Sequence, residues 1–157
     1  MVSRIYVEIT NICNMNCSFC HGHSRAPRRM NREEFSSVLE KVQGLNRYIY
    51  FHLMGEPLLH PDLPLFINQA KESGLLPVIT TNGTLLKKRK EEIIASGVHK
   101  ISISLHSFEG GDKRAHEKYL TEVADFAEEA SASGIIVVLR LWNRGADDSL
   151  NGDVLDF

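Results

Sequence analysis

Three cysteines, Cys13, Cys17 and Cys20, fall within the stretch CNMNCSFC, and the chain has no others. An odd number of thiols suits a disulfide framework poorly, and clustered thiols in a reducing compartment are metal ligands before they are disulfides. Thiolates are soft and bind iron–sulfur clusters and zinc alike. The spacing C-x3-C-x2-C gives three ligands where an iron–sulfur cube has four iron corners, so one iron would stay open to a ligand that is not protein. The nearby His21 or His23 could instead complete a Cys3His zinc site. Spacing alone leaves both chemistries open, with exposed loop histidines as the simpler account of His21 and His23.

The thiols must be held by the elements around them. Arg4 to Thr10 is apolar and β-branched and predicts a strand running straight into the cysteine loop. Asn31 to Gly44 predicts a helix, with an Asn cap, Glu33 and Glu34 in the first turn and Gly44 at the stop. Strands are predicted at Tyr48–Met54, Pro77–Thr81, Lys100–His106 and Ile135–Trp142. Helices are predicted at Pro61–Gly74, Leu85–Ser96 and Ala115–Ser133. The Gly- and Asp-rich residues 143–157 predict a loop or tail. Strands alternating with helices imply right-handed β-α-β units and a parallel sheet, either an open doubly wound sheet or a barrel or partial barrel. In both, functional groups gather at the C-terminal ends of the strands.

Polar residues interrupt the strands at those ends. Gly55-Glu56-Pro57 closes strand two, Thr80-Thr81-Asn82-Gly83 closes strand three, Ser104 and His106 close strand four, and Arg140 closes strand five. Buried parallel strands are ordinarily near-continuous apolar runs, so these interruptions mark a site. With i and i+2 on one face, the expected inward sets are His52, Met54 and Glu56; Thr80 and Asn82; Ser102, Ser104 and His106; and Val138, Arg140 and Trp142.

The rest of the composition narrows the function. A chain of 157 residues with 43% apolar and 24% charged content suits one globular domain. Its net charge of −2 gives no reason to expect nucleic acid as a partner. The basic run Lys87-Lys88-Arg89-Lys90 reads as a solvated helix face rather than a phosphate site. No segment is long enough to span a bilayer, the opening MVSRIYVEIT has no long apolar stretch and no cleavage-type signal, and a cytoplasmic protein is expected.

Taken together, a first strand running into CNMNCSFC, then MGEP, TTNG and SISLHS at successive strand ends, resembles the radical S-adenosylmethionine (radical SAM) superfamily from Arg4 to about Trp142. The resemblance implies an α/β fold, a partial (β/α) barrel of parallel strands, with about five β/α units of the usual six. It implies a [4Fe–4S] cluster on Cys13, Cys17 and Cys20, with the amino and carboxylate groups of S-adenosylmethionine (SAM) on the open iron. An electron from the cluster would then cleave SAM to a 5′-deoxyadenosyl radical that abstracts hydrogen from a substrate. Phe19 is placed near the adenine, and Gly55 gives close backbone approach. Glu56 accepts from the SAM ammonium, Thr80 and Ser104 serve the ribose, Arg140 the carboxylate, and Asn82 shares the inward face with Thr80. For Arg140, an ion pair with Glu56 or Glu8 is the structural alternative. His52, His106 and Trp142 stand between structural roles and lining a substrate pocket.

The resemblance also implies partners: a small-molecule or peptide substrate, and an electron donor such as flavodoxin or ferredoxin. Two departures stand out. Met54 replaces the usual second glycine before Gly-Glu-Pro, and the strands stop at five. The chain therefore reads as a single core domain over 1–157, incomplete at its C-terminal end. Its fifth strand would be an open edge through which copies could associate. The alternatives are a truncated relative or partner subunit that holds a cluster without catalysis, and the Cys3His zinc module.

Overall fold

The computed structural model describes residues 4–22, 24–108, 113–141 and 151. Its sheet has five strands, β1 (Ile5–Tyr6), β2 (Tyr48–Tyr50), β3 (Leu76–Thr81), β4 (Lys100–Ser104) and β5 (Ile136–Arg140). All neighbours are parallel and the spatial order is the chain order, β1-β2-β3-β4-β5. A doubly wound sheet would reverse direction at a switch point. Among the described strands there is none, and the sheet is that of a partial β/α barrel.

The helices α1 (Arg32–Val42), α2 (Leu63–Glu72), α3 (Leu86–Ser96) and α4 (Lys113–Ala132) follow the strands and pack each against the next. The Asn31 cap is a full capping box: its side chain accepts from the Glu34 N–H while Glu34 reaches back to the Asn31 N–H. The core lies between the helices and the outer face of the sheet. There Phe35 stacks on Phe66 at 4.1 Å and meets Phe51 edge-on, beside Ile49, Ile79, Ile101 and Phe126, all fully buried. The basic run lies on α3, where Lys87 and Lys90 pair with Glu122 and Glu129 of α4. Among the described residues no helix is long and apolar enough to cross a membrane.

Apart from β3, the strands are shorter than their apolar runs suggest. β1 ladders only over Ile5–Tyr6, although Val7 N–H still bonds Tyr50 O. Beyond it the chain pairs instead with the returning segment, through Met30 N–H to Ile9 O and an antiparallel bridge of Thr10 with Arg29. β2 ends at Tyr50 rather than Met54, because residues 53–55 bend away and Pro57–Leu59 forms a 3-10 turn. His52, Met54 and Glu56 therefore do not alternate along one strand face. β4 ends at Ser104 and continues as a 3-10 turn over Leu105–Ser107, which removes His106 from the face shared by Ser102 and Ser104. Trp142, His23 and the tail 143–150 and 152–157 lie outside the described residues.

On the inner face the register aligns Tyr6, Tyr50, Val78, Lys100 and Ile136, and, two residues further on, Thr80, Ser102 and Val138. This surface is aromatic at one end, where Tyr6 stacks on Tyr50 at 4.9 Å, and polar towards the strand ends.

Candidate functional site

At the C-terminal end of the sheet lies a cavity of about 510 Å³. Cys13, Cys17 and Cys20 line it together with Phe19, Gly55, Glu56, Thr80, Asn82, Ser104 and Arg140. Thr81 and His52, also expected from the strand-end pattern, line it too, whereas Pro57, Gly83, Ser102 and His106 do not, and Ser107 is a lining residue the pattern did not name.

The cysteine loop is held at both feet. Asn11, buried, donates from Nδ2 to Ala26 O and accepts at Oδ1 from Arg28 N–H, while Thr10 Oγ1 accepts from Ile12 N–H. Glu56 N–H donates to Ile12 O at 2.8 Å. Gly55 makes that approach feasible. Its φ is +79°, and a Cβ there would sit 2.5 Å from Thr10 O. The thiols are in no disulfide. Cys13 Sγ accepts from Met15 N–H and Cys20 Sγ from Gly22 N–H, at 3.4 and 3.5 Å. Cys17 Sγ donates to Ser107 O.

Glu56 sits at the centre of the site and is 2% exposed. Its Oε1 accepts from Leu58 N–H at 2.9 Å and from Thr81 Oγ1–H at 2.7 Å, and Oε2 accepts from Asn82 N–H at 2.8 Å. A carboxylate offers about four acceptor positions, so most of this one is spent inside the protein, binding the end of β3 to the turn after β2. Burial pushes its carboxyl above the ordinary range. The bonds from Asn82, Thr81 and Leu58 and the charge of Arg89 oppose that shift. Tyr119 of α4 adds a brace by donating its O–H to Asn82 O at 2.9 Å, and burial and the Glu56 charge push its phenol up.

His52 lies beneath this network. Burial, and then the charge of Arg140, hold it down to about 4, so it is neutral at pH 7. Its Nε2 lies 3.4 Å from Thr80 Oγ1, while its buried Nδ1 has no hydrogen-bond partner among the described residues. Phe19 packs at 5.0 Å on the ring of His106, whose Nδ1 faces Arg140 O.

The ion pair offered as the structural alternative for Arg140 does not form. Arg140 pairs with neither Glu8 nor Glu56: Glu8 takes a bidentate bond from Arg25 and also accepts from Met54 N–H, and Glu56 is held by uncharged donors. Arg140 lies exposed at the cavity rim. Among the described residues, which leave out His23, no three of His, Cys, Asp and Glu converge as they would around one metal ion. A cube, whose ligands attach at separate corners, takes thiols spread around a cavity, and the soft donor set fits it. Sequence reasoning overlooked Asn14, Thr84 and Tyr119, whose roles depend on contacts between distant segments. The paired polar residues in TTNGT were the available signal.

Known proteins place this arrangement. Residues 7–143 match the Radical SAM superfamily, and the chain belongs to that family. Its members bind a [4Fe–4S] cluster and SAM, carry out SAM-dependent radical chemistry, act on a substrate and use a reductant. Among its relatives, a probable GTP 3′,8-cyclase of Sulfolobus acidocaldarius is 31% identical over 82% of this chain and 43% of its own length. An AdoMet-dependent heme synthase of Methanosarcina barkeri is 30% identical over 71% of this chain and 32% of its own. The chain spans between about a third and just over half of the length of such curated relatives. Among solved structures, BtrN in complex with AdoMet and 2-DOIA superposes with a TM-score of 0.67 at 26% identity, covering 88% of this chain and 56% of BtrN. Streptococcus suis SuiB bound to S-adenosylmethionine shares the fold, with a TM-score of 0.70 at 17% identity, over 98% of this chain and 37% of SuiB.

Proposed function

We propose that this chain is the cluster- and SAM-binding core of a radical SAM enzyme. The reading rests chiefly on one observation: three thiols and the polar ends of the strands face a single cavity. Cys13, Cys17 and Cys20 would hold three irons, leaving the fourth for the amino and carboxylate groups of SAM. The cluster and SAM together supply a one-electron reductive cleavage that ends in hydrogen abstraction from the substrate.

The protein's own part is to bind, orient and exclude water. Arg140 offers the SAM carboxylate a planar, bidentate donor at the rim. Glu56 keeps one acceptor position for the ammonium while its other positions hold the turn. Thr80 and, two residues further along the register, Ser104 offer hydroxyls to the ribose. Asn82 borders the cavity beside them. Phe19 gives the adenine an aromatic surface, backed by His106. The neutral His52 and the Tyr6–Tyr50 shelf would meet a small-molecule or peptide substrate entering along the inner face. We further propose a cytoplasmic setting, a flavodoxin- or ferredoxin-type electron donor, and association of copies through the outer edge of β5.

Anaerobic reconstitution with iron and sulfide should give a brown chromophore. Dithionite with SAM should then release 5′-deoxyadenosine, and titration calorimetry should detect SAM binding only to the loaded protein. A fully loaded cluster that binds SAM without cleaving it would overturn the catalytic part and leave a non-catalytic cluster-binding subunit.

A further inference from the structure

The side chain of Asn82 reaches across to the cysteine loop. Its Oδ1 accepts from Thr84 N–H at 3.0 Å and from Thr84 Oγ1–H at 2.7 Å. Its Nδ2 donates to Asn14 Oδ1 at 3.0 Å and stands 3.9 Å from Cys13 Sγ, within reach of a hydrogen bond to sulfur. Asn14 in turn donates to Thr84 Oγ1 at 2.8 Å. The backbone of Asn82 is fixed as well, with its N–H on Glu56 and its C=O under Tyr119. Each polar atom of a residue that is 7% exposed is thus engaged, and the amide hydrogens are aimed at the loop that carries the first cysteine.

The residue type matters. Only a carboxamide can accept from Thr84 at one end and donate twice at the other. An aspartate would set oxygen against Asn14 Oδ1 and against a thiolate, and a serine would not reach.

We propose that Asn82 is a positioning residue for the cluster: its amide holds the loop through Asn14 and donates to the Cys13 thiolate, raising the cluster's reduction potential. This rests on the reading of Cys13 as an iron ligand. Hydrogen bonds to cluster sulfurs favour the reduced, more negatively charged state, and groups just outside the ligand shell tune metal centres in this way. Met15 N–H already donates to the same sulfur from within the loop. Asn82 adds a donor from β3, so the potential becomes linked to the buried Glu56 network.

The test is an EPR-monitored redox titration of the reconstituted full chain. Failure of the wild-type protein to load a [4Fe–4S] cluster would sink the cluster reading itself and is scored separately. With loading established, Asn82→Leu, which is neutral and has no donor, should move the midpoint potential to a lower value. Asn82→His, which keeps an N–H, should return it towards the wild-type value. An unchanged potential in Asn82→Leu at wild-type loading, or equal shifts in both variants, overturns the proposal. Should Asn82→Leu not retain its cluster, the wild-type protein labelled with ¹⁵N at asparagine side-chain amides decides. Pulsed EPR of the reduced cluster should show a nitrogen coupling that survives Asn14→Ala and Asn16→Ala. Its absence overturns the proposal equally.

Discussion

The two flanks of the cavity are built on different principles. On the β1–β3 flank, Gly55, Glu56, Thr81, Asn82 and the feet of the cysteine loop form one buried hydrogen-bond network in which Glu56 is 2% and Asn82 7% exposed. On the β5 flank, Arg140 stands at an open rim, and Ile136 and Leu139 are 48% and 49% exposed. The first flank is held in one arrangement by its own hydrogen bonds. Its polar groups satisfy one another, so moving any of them leaves a buried donor or acceptor unpaired. The second presents functional groups with little behind them. Prearrangement therefore falls on the side of the thiols, where geometry would decide how the proposed cluster is held.

The contrast can be broken most severely at the thiols. Replacing any of Cys13, Cys17 or Cys20 by Ala should abolish the brown chromophore and SAM-dependent 5′-deoxyadenosine release, while circular dichroism of the apoprotein stays unchanged. Next, Gly55→Ala forces a Cβ to within 2.5 Å of Thr10 O at a φ of +79°. It should cost about 3 kcal/mol or more in urea unfolding, whereas Ile136→Ala on the open flank should cost well under half of that. Glu56→Gln turns an amide N–H₂ towards donors that need an acceptor. A loss of roughly 1–3 kcal/mol is expected, and equal stability of the variant would show that the network is not what holds this flank.

His52 permits a pH test. Its folded value of about 4 lies below the ordinary 6.5, so the unfolded chain takes up its proton first as pH falls. The stability it contributes is present above pH 6.5 and is lost between about 6.5 and 4. Because the ring is partly open to the cavity, the amount should be on the order of 1 kcal/mol. His52→Phe should flatten that part of the pH–stability curve, and an unaltered slope would remove His52 from the account. The smallest structural effect is expected at Arg140. Arg140→Ala should leave the unfolding midpoint in place and weaken SAM binding by roughly tenfold, as loss of a charge-assisted contact at a rim would. A fall in stability would mean that the open flank is more tightly built than it looks.

Much of this was legible beforehand at particular residues. The cysteine spacing, Gly-Glu-Pro and Thr-Thr-Asn-Gly announced the cavity because polar side chains at the ends of buried strands need a reason to be there. Helix limits were legible too, since Asn31 caps and Gly97 closes with purely local chemistry. The strand ends were less so. The apolar run to Met54 reads as strand, yet the bend at 53–55 and the 3-10 turn capped by Glu56 end the ladder at Tyr50.

What the sequence determined by itself was the inventory: soft ligands, strand-end polar groups and a β/α alternation, all carried by composition and short-range periodicity. Only the tertiary structure decided how these groups are used. It gave Glu56 three internal donors, matched Glu8 with Arg25 rather than Arg140, and brought Asn82 to Asn14 and Cys13 across more than sixty positions of chain. Hydrogen-bond partners of that separation depend on where the sheet register and the loops place them, and no local pattern encodes that placement.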